Sequence, residues 1–327
     1  MISGGRTIVA AQDAFQNVLI ASDFSPSADA ALQQAIWLGR TCGPRLVLAH
    51  VLEDLRQAAH ALTSAAKIDL LAGGELFEKE IRKKSDARLQ QQISALHATG
   101  LEIRYETLLG EPFVELIHAV QQEGYDLLML GTRGMSTWKQ FFVGSTAKRL
   151  IRKSPSAVWI VKAEHTGPPR VILTATDFSD VSRKTVLRSL WLAEMADAEL
   201  HLVHVIDAKD EPTNLLEDTP PGVSLREVVN QSATQRLDQF LGSLGTDCRR
   251  LVPHLTWGYP WQEISRIATL HNADLITIGT VGRSGIEGVL LGNTAERVLD
   301  SCDCSILTIK PDDYISPIRP ATWPIHP

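Results

Sequence analysis

Leu130–Lys153 reads L-GTRG-MSTWKQFFV-GSTAKRLIRK, directly after Asp126-Leu127-Leu128-Met129. An acidic residue followed by four apolar ones predicts a strand buried on both faces, as in a parallel sheet. Gly131 and Gly134 break that strand, and Gly144-Ser145 opens a helical pattern ending in Arg149, Arg152 and Lys153. A strand, a glycine-marked turn and a helix start are the parts of an anion cradle. Glycine allows backbone N–H groups to approach a phosphate, and the helix N-terminus adds unpaired donors and a favourable dipole. The stretch recurs from Ile278 as I-GTVG-RSGIEGVLL-GNTAERVL, and Gly131 to Gly279 and Gly144 to Gly292 are both 148 residues apart.

The repeat extends outward. Upstream, Val18–Ala21 is a short apolar strand followed by Ser22-Asp23-Phe24-Ser25, echoed by Val171–Ala175 and Thr176-Asp177-Phe178-Ser179. His50-Val51 ends a second strand and His204-Val205 its copy; these pairs are offset by 154, whereas Pro112 and Pro260 keep the offset of 148. The net change of six residues falls between the second strand and the third helix, and length changes belong in surface loops. Whole domains are therefore duplicated, over residues 17–162 and 170–310, joined by the Gly/Pro-containing AEHTGPP. Each half reads βαβαβαβαβ, with a long Glu/Lys/Gln-rich helix from about Gly74 to His97 in the first. That order implies an α/β fold with a doubly wound parallel five-stranded sheet in each half. Ligands of such sheets bind beyond the carboxyl ends of the strands, at the switch in strand order. Asp23 and Gly131 both stand at such ends, so strands one and four flank the crevice. The proline-rich tail from Ile315 is expected to be irregular.

Composition bounds the function. A chain of 327 residues suits two domains, and 44% hydrophobic with 21% charged residues is globular. A net charge of −6 argues against a nucleic-acid face. Four cysteines suggest a reducing compartment. Residues 1–16 carry Arg6 and only a short apolar run, Ile8–Ala11, which makes neither a signal-peptide core nor a span, so no membrane partner and a cytoplasmic address are expected.

Several candidates admit two readings. Asp23 and Asp177 can accept hydrogen bonds from a ribose or an adenine amino group, or can simply shape the turn into the helix. Arg133, inside the loop, suits charge pairing, while Arg149, Arg152 and Lys153 suit a helix C-terminus. His50 and His204 have no second ligand at metal spacing, and His201 and His204, three apart on a strand, point to opposite faces. Cys302-x-Cys304 is no zinc spacing by itself. The G-x4-G-K-[ST], G-x-G-x-x-G, H-E-x-x-H and G-x-S-x-G patterns are absent, and no nucleophile and base are arranged together. No metal site and no catalytic residues are expected.

The chain resembles the universal stress protein family in its tandem form. Gly131, Gly134, Gly144 and Ser145 meet the family's Gly-x2-Gly-x9-Gly-(Ser/Thr) signature, and GTVGRSG, LGNTAERV and LTIKPDDY look like the E-type branch. The resemblance implies an adenine nucleotide alpha hydrolase-like fold, strand order 3-2-1-4-5 in each half. It also implies ATP, with or without Mg2+, between strands one and four. Carried over, Asp23 and Val51 meet the adenosine, and Leu130, Gly131, Arg133, Gly134, Gly144, Ser145 and Thr146 line the phosphates. Their counterparts are Asp177, Val205, Ile278, Gly279, Val281, Gly282, Gly292, Asn293 and Thr294. Asn293 lacks the hydroxyl and Val281 stands in place of Arg133, so the second half is expected to bind triphosphate less well. Ala21 and Ala175 replace the proline that many nucleotide-binding members carry.

The implied role is regulatory or protective during stress, with at most slow ATP hydrolysis. The two fifth strands are expected to pair antiparallel within the chain, with a homo-dimer left open. The rival is a degenerate tandem scaffold or small-ligand carrier that does not use nucleotide. An adenylating enzyme would need a strand-borne adenylating loop or a His-x-Gly-His motif, and neither is present.

Overall fold

The computed structural model describes residues 14–53, 64–97, 100–132, 143–164, 166–207, 225–245, 251–282 and 291–320. They fall into two compact units, Phe15–Gly167 with the tail from Tyr314, and Pro168–Asp313.

In the first unit the elements are β1 (Asn17–Ala21), α1 (Pro26–Cys42), β2 (Arg45–Leu52), α2 (Ser64–His97), β3 (Ile103–Leu109), α3 (Pro112–Glu123), β4 (Leu127–Gly131), α4 (Ser145–Lys153) and β5 (Ala157–Val161). The sheet is parallel throughout, in the order β3-β2-β1-β4-β5. Val18, Leu19 and Ile20 of β1 and Leu127, Leu128 and Met129 of β4 are wholly enclosed. Their continuous apolar runs follow from helices covering both faces.

Local signals set the helix ends. Ser25 caps α1, its side chain accepting from the Ala28 N–H, Pro26 takes the first helical position, and Gly43 ends the helix with φ 69°. α3 likewise starts with Pro112 and ends at Gly124, φ 67°. α2 begins ten residues before the expected Gly74 and runs through Gly73-Gly74. Two glycines cost a helix only about 2 kcal/mol together, so they are spanned when good helix formers flank them.

The second unit repeats the plan: β6 (Val171–Ala175), α5 (Asp180–Ala196), β7 (Glu199–Asp207), α6 (Leu225–Ser243), β8 (Leu251–Gly258), α7 (Pro260–Leu270), β9 (Leu275–Gly279), α8 (Asn293–Ser301) and β10 (Ser305–Ile309). Its sheet is again all parallel, in the order β8-β7-β6-β9-β10. Both halves therefore have the order 3-2-1-4-5, with the carboxyl ends of strands one and four side by side.

The tail is irregular, as its prolines suggest, yet it is packed. It lies on the first unit, where Ser316 Oγ donates to the Lys153 carbonyl at 2.7 Å, Gln121 Nε2 donates to the Ile318 carbonyl at 2.9 Å, and the Tyr314 hydroxyl donates to the Arg152 carbonyl. The Arg152 and Lys153 carbonyls belong to the last turn of α4, which a helix leaves unpaired, whereas Ile318 accepts from a side chain of α3. Among the described residues no helix is long and apolar enough to cross a membrane.

Candidate functional site

A cavity of about 500 Å³ opens at the carboxyl ends of β1 and β4, lined among others by Asp23, Val51, Leu130, Gly131, Gly144, Ser145 and Thr146. Three elements build it. The turn after β1 supplies Asp23, the end of β2 supplies Val51, and the β4–α4 connection supplies the rest. Arg133 and Gly134 lie outside the described residues, so their placement is not part of this geometry.

The turn after β1 is held by its own side chains. Asp23 Oδ1 accepts from the Ser25 N–H at 3.0 Å, and Ser22 Oγ accepts from the Phe24 N–H at 3.2 Å. Phe24 sits at φ 63°, a left-handed conformation rare for a bulky residue. His50 secures it: its Nδ1 lies 2.7 Å from the Ser22 carbonyl, which can only accept, so that nitrogen carries the proton. The His50 ring lies 4.4 Å from that of Phe24, and the Arg88 guanidinium sits 4.1 Å from the Phe24 ring centre. The second unit copies the turn and its histidine, with the Phe240 ring 5.4 Å from that of Phe178. Phe178 has φ 64°, His204 Nδ1 is 2.8 Å from the Thr176 carbonyl, and the Phe178 and His204 rings are 4.1 Å apart. His50 and His204, for which the sequence offers no second metal ligand, are thus structural clamps. Asp23 shapes the turn and also lines the cavity.

The start of α4 also lines the cavity. Gly144 precedes the helix with no side-chain cap, and its own N–H donates to the Thr132 carbonyl at 2.9 Å. The first intrahelical bond runs from the Lys148 N–H to the Gly144 carbonyl. The N–H groups of Ser145, Thr146 and Ala147 therefore have no carbonyl within the helix to meet. They border a cavity that is also lined by Asp23 and Glu53. The helix start offers donors and a positive dipole, and the carboxylates offer acceptors. Glu53, Thr132, Pro112 and Leu116 also line the space, and no motif signals them.

The equivalent residues of the second unit occupy matching positions with different chemistry. Ile278 and Gly279 end β9, Gly292 precedes α8 with its N–H on the Thr280 carbonyl at 2.7 Å, and Asn293 and Thr294 start the helix. Val205, near the end of β7, is half-buried, as is Val281. Glu296 puts a negative charge in the first turn of α8, where α4 has Lys148. Asp177 leans on the glycine turn, so that a methyl group on Gly282 would stand 2.7 Å from its Oδ2.

The profile of the universal stress protein family matches residues 14–162 and 169–310. The chain belongs to the universal stress protein family. Among its relatives, universal stress protein E of Photorhabdus laumondii is 28% identical over 323 residues, covering 94% of this chain and 98% of the relative. That of Escherichia coli K12 is 26% identical over 319 residues, with 93% and 97% covered. A universal stress protein of Archaeoglobus fulgidus superposes with a TM-score of 0.61 at 20% identity, covering 90% of this chain and 98% of that one. The family's fold is thus present twice, and the tandem arrangement matches relatives of nearly the same length.

Proposed function

We propose that the first-half cavity binds an adenine nucleotide, ATP with or without Mg2+, and that the chain serves as a cytoplasmic regulatory or protective protein under stress. The observation that carries this is the cavity at the ends of β1 and β4, lined both by the start of α4 and by the Asp23 turn. Asp23 and Val51 would hold the adenosine, while Gly144, Ser145 and Thr146, with Arg133 and Gly134 from the loop, would hold the phosphates. A pocket of about 500 Å³ falls in the size range of small-molecule sites. When bound, the nucleotide would supply a phosphoanhydride. No described side chain near α4 is arranged as a general base, so turnover far below about 1 per second is expected.

The second half is the weaker site in this proposal, because Asn293, Glu296 and the Asp177 carboxylate against Gly282 all disfavour a polyanion. Those features also favour the rival reading for that half, a scaffold or small-ligand carrier without nucleotide. The same proposal pairs the fifth strands β5 and β10 within one chain and leaves a homo-dimer open.

Calorimetric titration of the intact chain with ATP tests the reading, alongside Gly144→Val and Gly292→Val. One strong site lost in Gly144→Val and kept in Gly292→Val is the expected result. No uptake by the unaltered chain would reject nucleotide use in favour of the scaffold. Steady-state phosphate release at saturating ATP and magnesium checks the expected slow turnover.

A further inference from the structure

Three histidines converge in the second unit at a place unrelated to the cavity motif. His201 lies on β7, His254 on β8 and His271 directly after α7. In the parallel register His201 stands opposite Val252, and His254 opposite Val203. His201 and His254 are therefore diagonal neighbours on one face of the sheet. The C-terminal end of α7 brings His271 onto that face, its ring centre 4.1 Å from that of His201 and 5.1 Å from that of His254. One ring nitrogen from each lies within 4.8 Å of the other two. Helices run back against the strands in this fold, so the trio lies toward the strand amino ends, away from Asp177 and Gly279.

The cluster is poorly explained as packing. His201 is only 1% exposed, and its Nε2 is enclosed without a hydrogen-bond partner, 3.2 Å from Glu199 Oε1. Its Nδ1 is 2.8 Å from His254 Nε2, which requires a proton on one nitrogen and a lone pair on the other. The fold does not demand histidine here. The repeat offsets place Val47, Glu106 and Glu123 at the corresponding positions of the first unit. There Arg45, the counterpart of Glu199, pairs with Glu123 at 3.1 Å. The first half answers the same place with an aliphatic side chain, the Glu106 carboxylate and an Arg–Glu ion pair, the second with three imidazoles and one carboxylate.

We propose that His201, His254 and His271 bind one zinc-class divalent transition metal ion, with water as the fourth ligand. Three imidazoles and an open position are a recurrent zinc donor set. Tetrahedral zinc with bonds of about 2.0–2.1 Å separates its ligand nitrogens by roughly 3.3 Å. The pair now 2.8 Å apart would need to open by only about half an ångström on that geometry. The ion would replace the shared proton, and coordination through His201 Nδ1 would place the proton of that ring on Nε2, beside Glu199. That is the outer-shell carboxylate that metal-bound histidines commonly use. Burial foremost, then the neighbouring rings, lower the basicity of His201 and His254. His254 and His271 are partly exposed, which gives an ion access.

The test uses the full chain without a histidine tag, stripped with a chelator and titrated with Zn2+ against a chromophoric competitor. Co2+ substitution reports the geometry. His201 is left intact because of its burial, and the variants are His254→Gln and His271→Gln, each first checked for unchanged unfolding without metal. One equivalent of Zn2+ per chain, intense tetrahedral Co2+ absorption, and at least about tenfold weaker binding in each variant are expected. Absence of stoichiometric uptake overturns the proposal. So does undiminished uptake in the double variant, which would place the ion at other histidines or cysteines.

Discussion

A methyl group on Gly131 would stand 2.5 Å from the backbone carbon of Ser27, whereas on Gly144 it would meet nothing nearer than the Thr132 carbonyl at 3.4 Å. The two glycines of one motif therefore answer to different constraints. Gly131 lets the start of α1 lie against the end of β4, and backbone cannot yield as a flexible side chain can. Gly131→Ala should lower stability by about 1–3 kcal/mol, the usual cost of overpacking, as read by urea unfolding. In the second unit the neighbour of Gly279 is the Val181 side chain at 2.9 Å, so Gly279→Ala should cost less. Lys310, at the end of β10, is 3% exposed, and burial pushes its ammonium down to about 7. The unfolded chain then binds more protons between pH 7 and about 10.5, so stability rises with pH across that window. Below pH 7 the full penalty of the buried charge is present. Lys310→Met should flatten this rise and add on the order of 1–3 kcal/mol near neutral pH, as measured by denaturant unfolding at several pH values.

Between α4 and α8 the difference is electrostatic. Both start after a glycine with no side-chain cap, and both leave three N–H groups without intrahelical partners. α4 then carries Lys148, Arg149, Arg152 and Lys153, while α8 carries Glu296, Arg297 and Asp300. A charge in the first turn changes the energy of an anion there by about 0.3–1 kcal/mol, and more when partly buried. On the proposed function, Lys148→Glu should weaken ATP binding about three- to tenfold, and Glu296→Lys should strengthen the second site by a similar factor. Titration of the intact chain at low and high salt checks both, since screening should shrink each effect. An unchanged affinity in Lys148→Glu would mean that the dipole end of α4 does not face the phosphates.

For the whole molecule, the proposed pairing of β5 with β10 makes a definite claim about exchange. Val158-Trp159-Ile160-Val161 and Ile306-Leu307-Thr308-Ile309 each form the last strand of their sheet. A bare apolar edge invites aggregation, because its N–H and C=O groups lack partners. If the two strands pair, the amides of both segments should exchange slowly in the intact protein. Proline at Ile160 or at Thr308 should remove ladder donors and speed exchange in the opposite segment. Fast exchange of both segments in the unaltered chain would refute the pairing.

Family resemblance supplied the strand order, and the sequence by itself determined the α/β class and the duplication. It could do so because the deciding signals are local: apolar runs the length of a strand, serine and proline at helix starts, glycine at helix ends. The 148-residue repeat then doubled each weak signal. Seven residues named from the motif and the turn, from Asp23 to Thr146, line one cavity because all stand at strand ends or helix starts, where the topology must gather them. Only the tertiary structure decided what comes from register. His50 becomes a clamp because β2 runs beside β1 and places its ring under the Ser22 carbonyl. The tail returns to α3 and α4 through hydrogen bonds to backbone carbonyls, which leave no periodicity in the sequence. His201, His254 and His271 stand 53 and 17 residues apart, spacings that match no ligand motif. They meet because a parallel crossover sets adjacent strands side by side and returns its helix across both, a juxtaposition that exists only once the chain has folded.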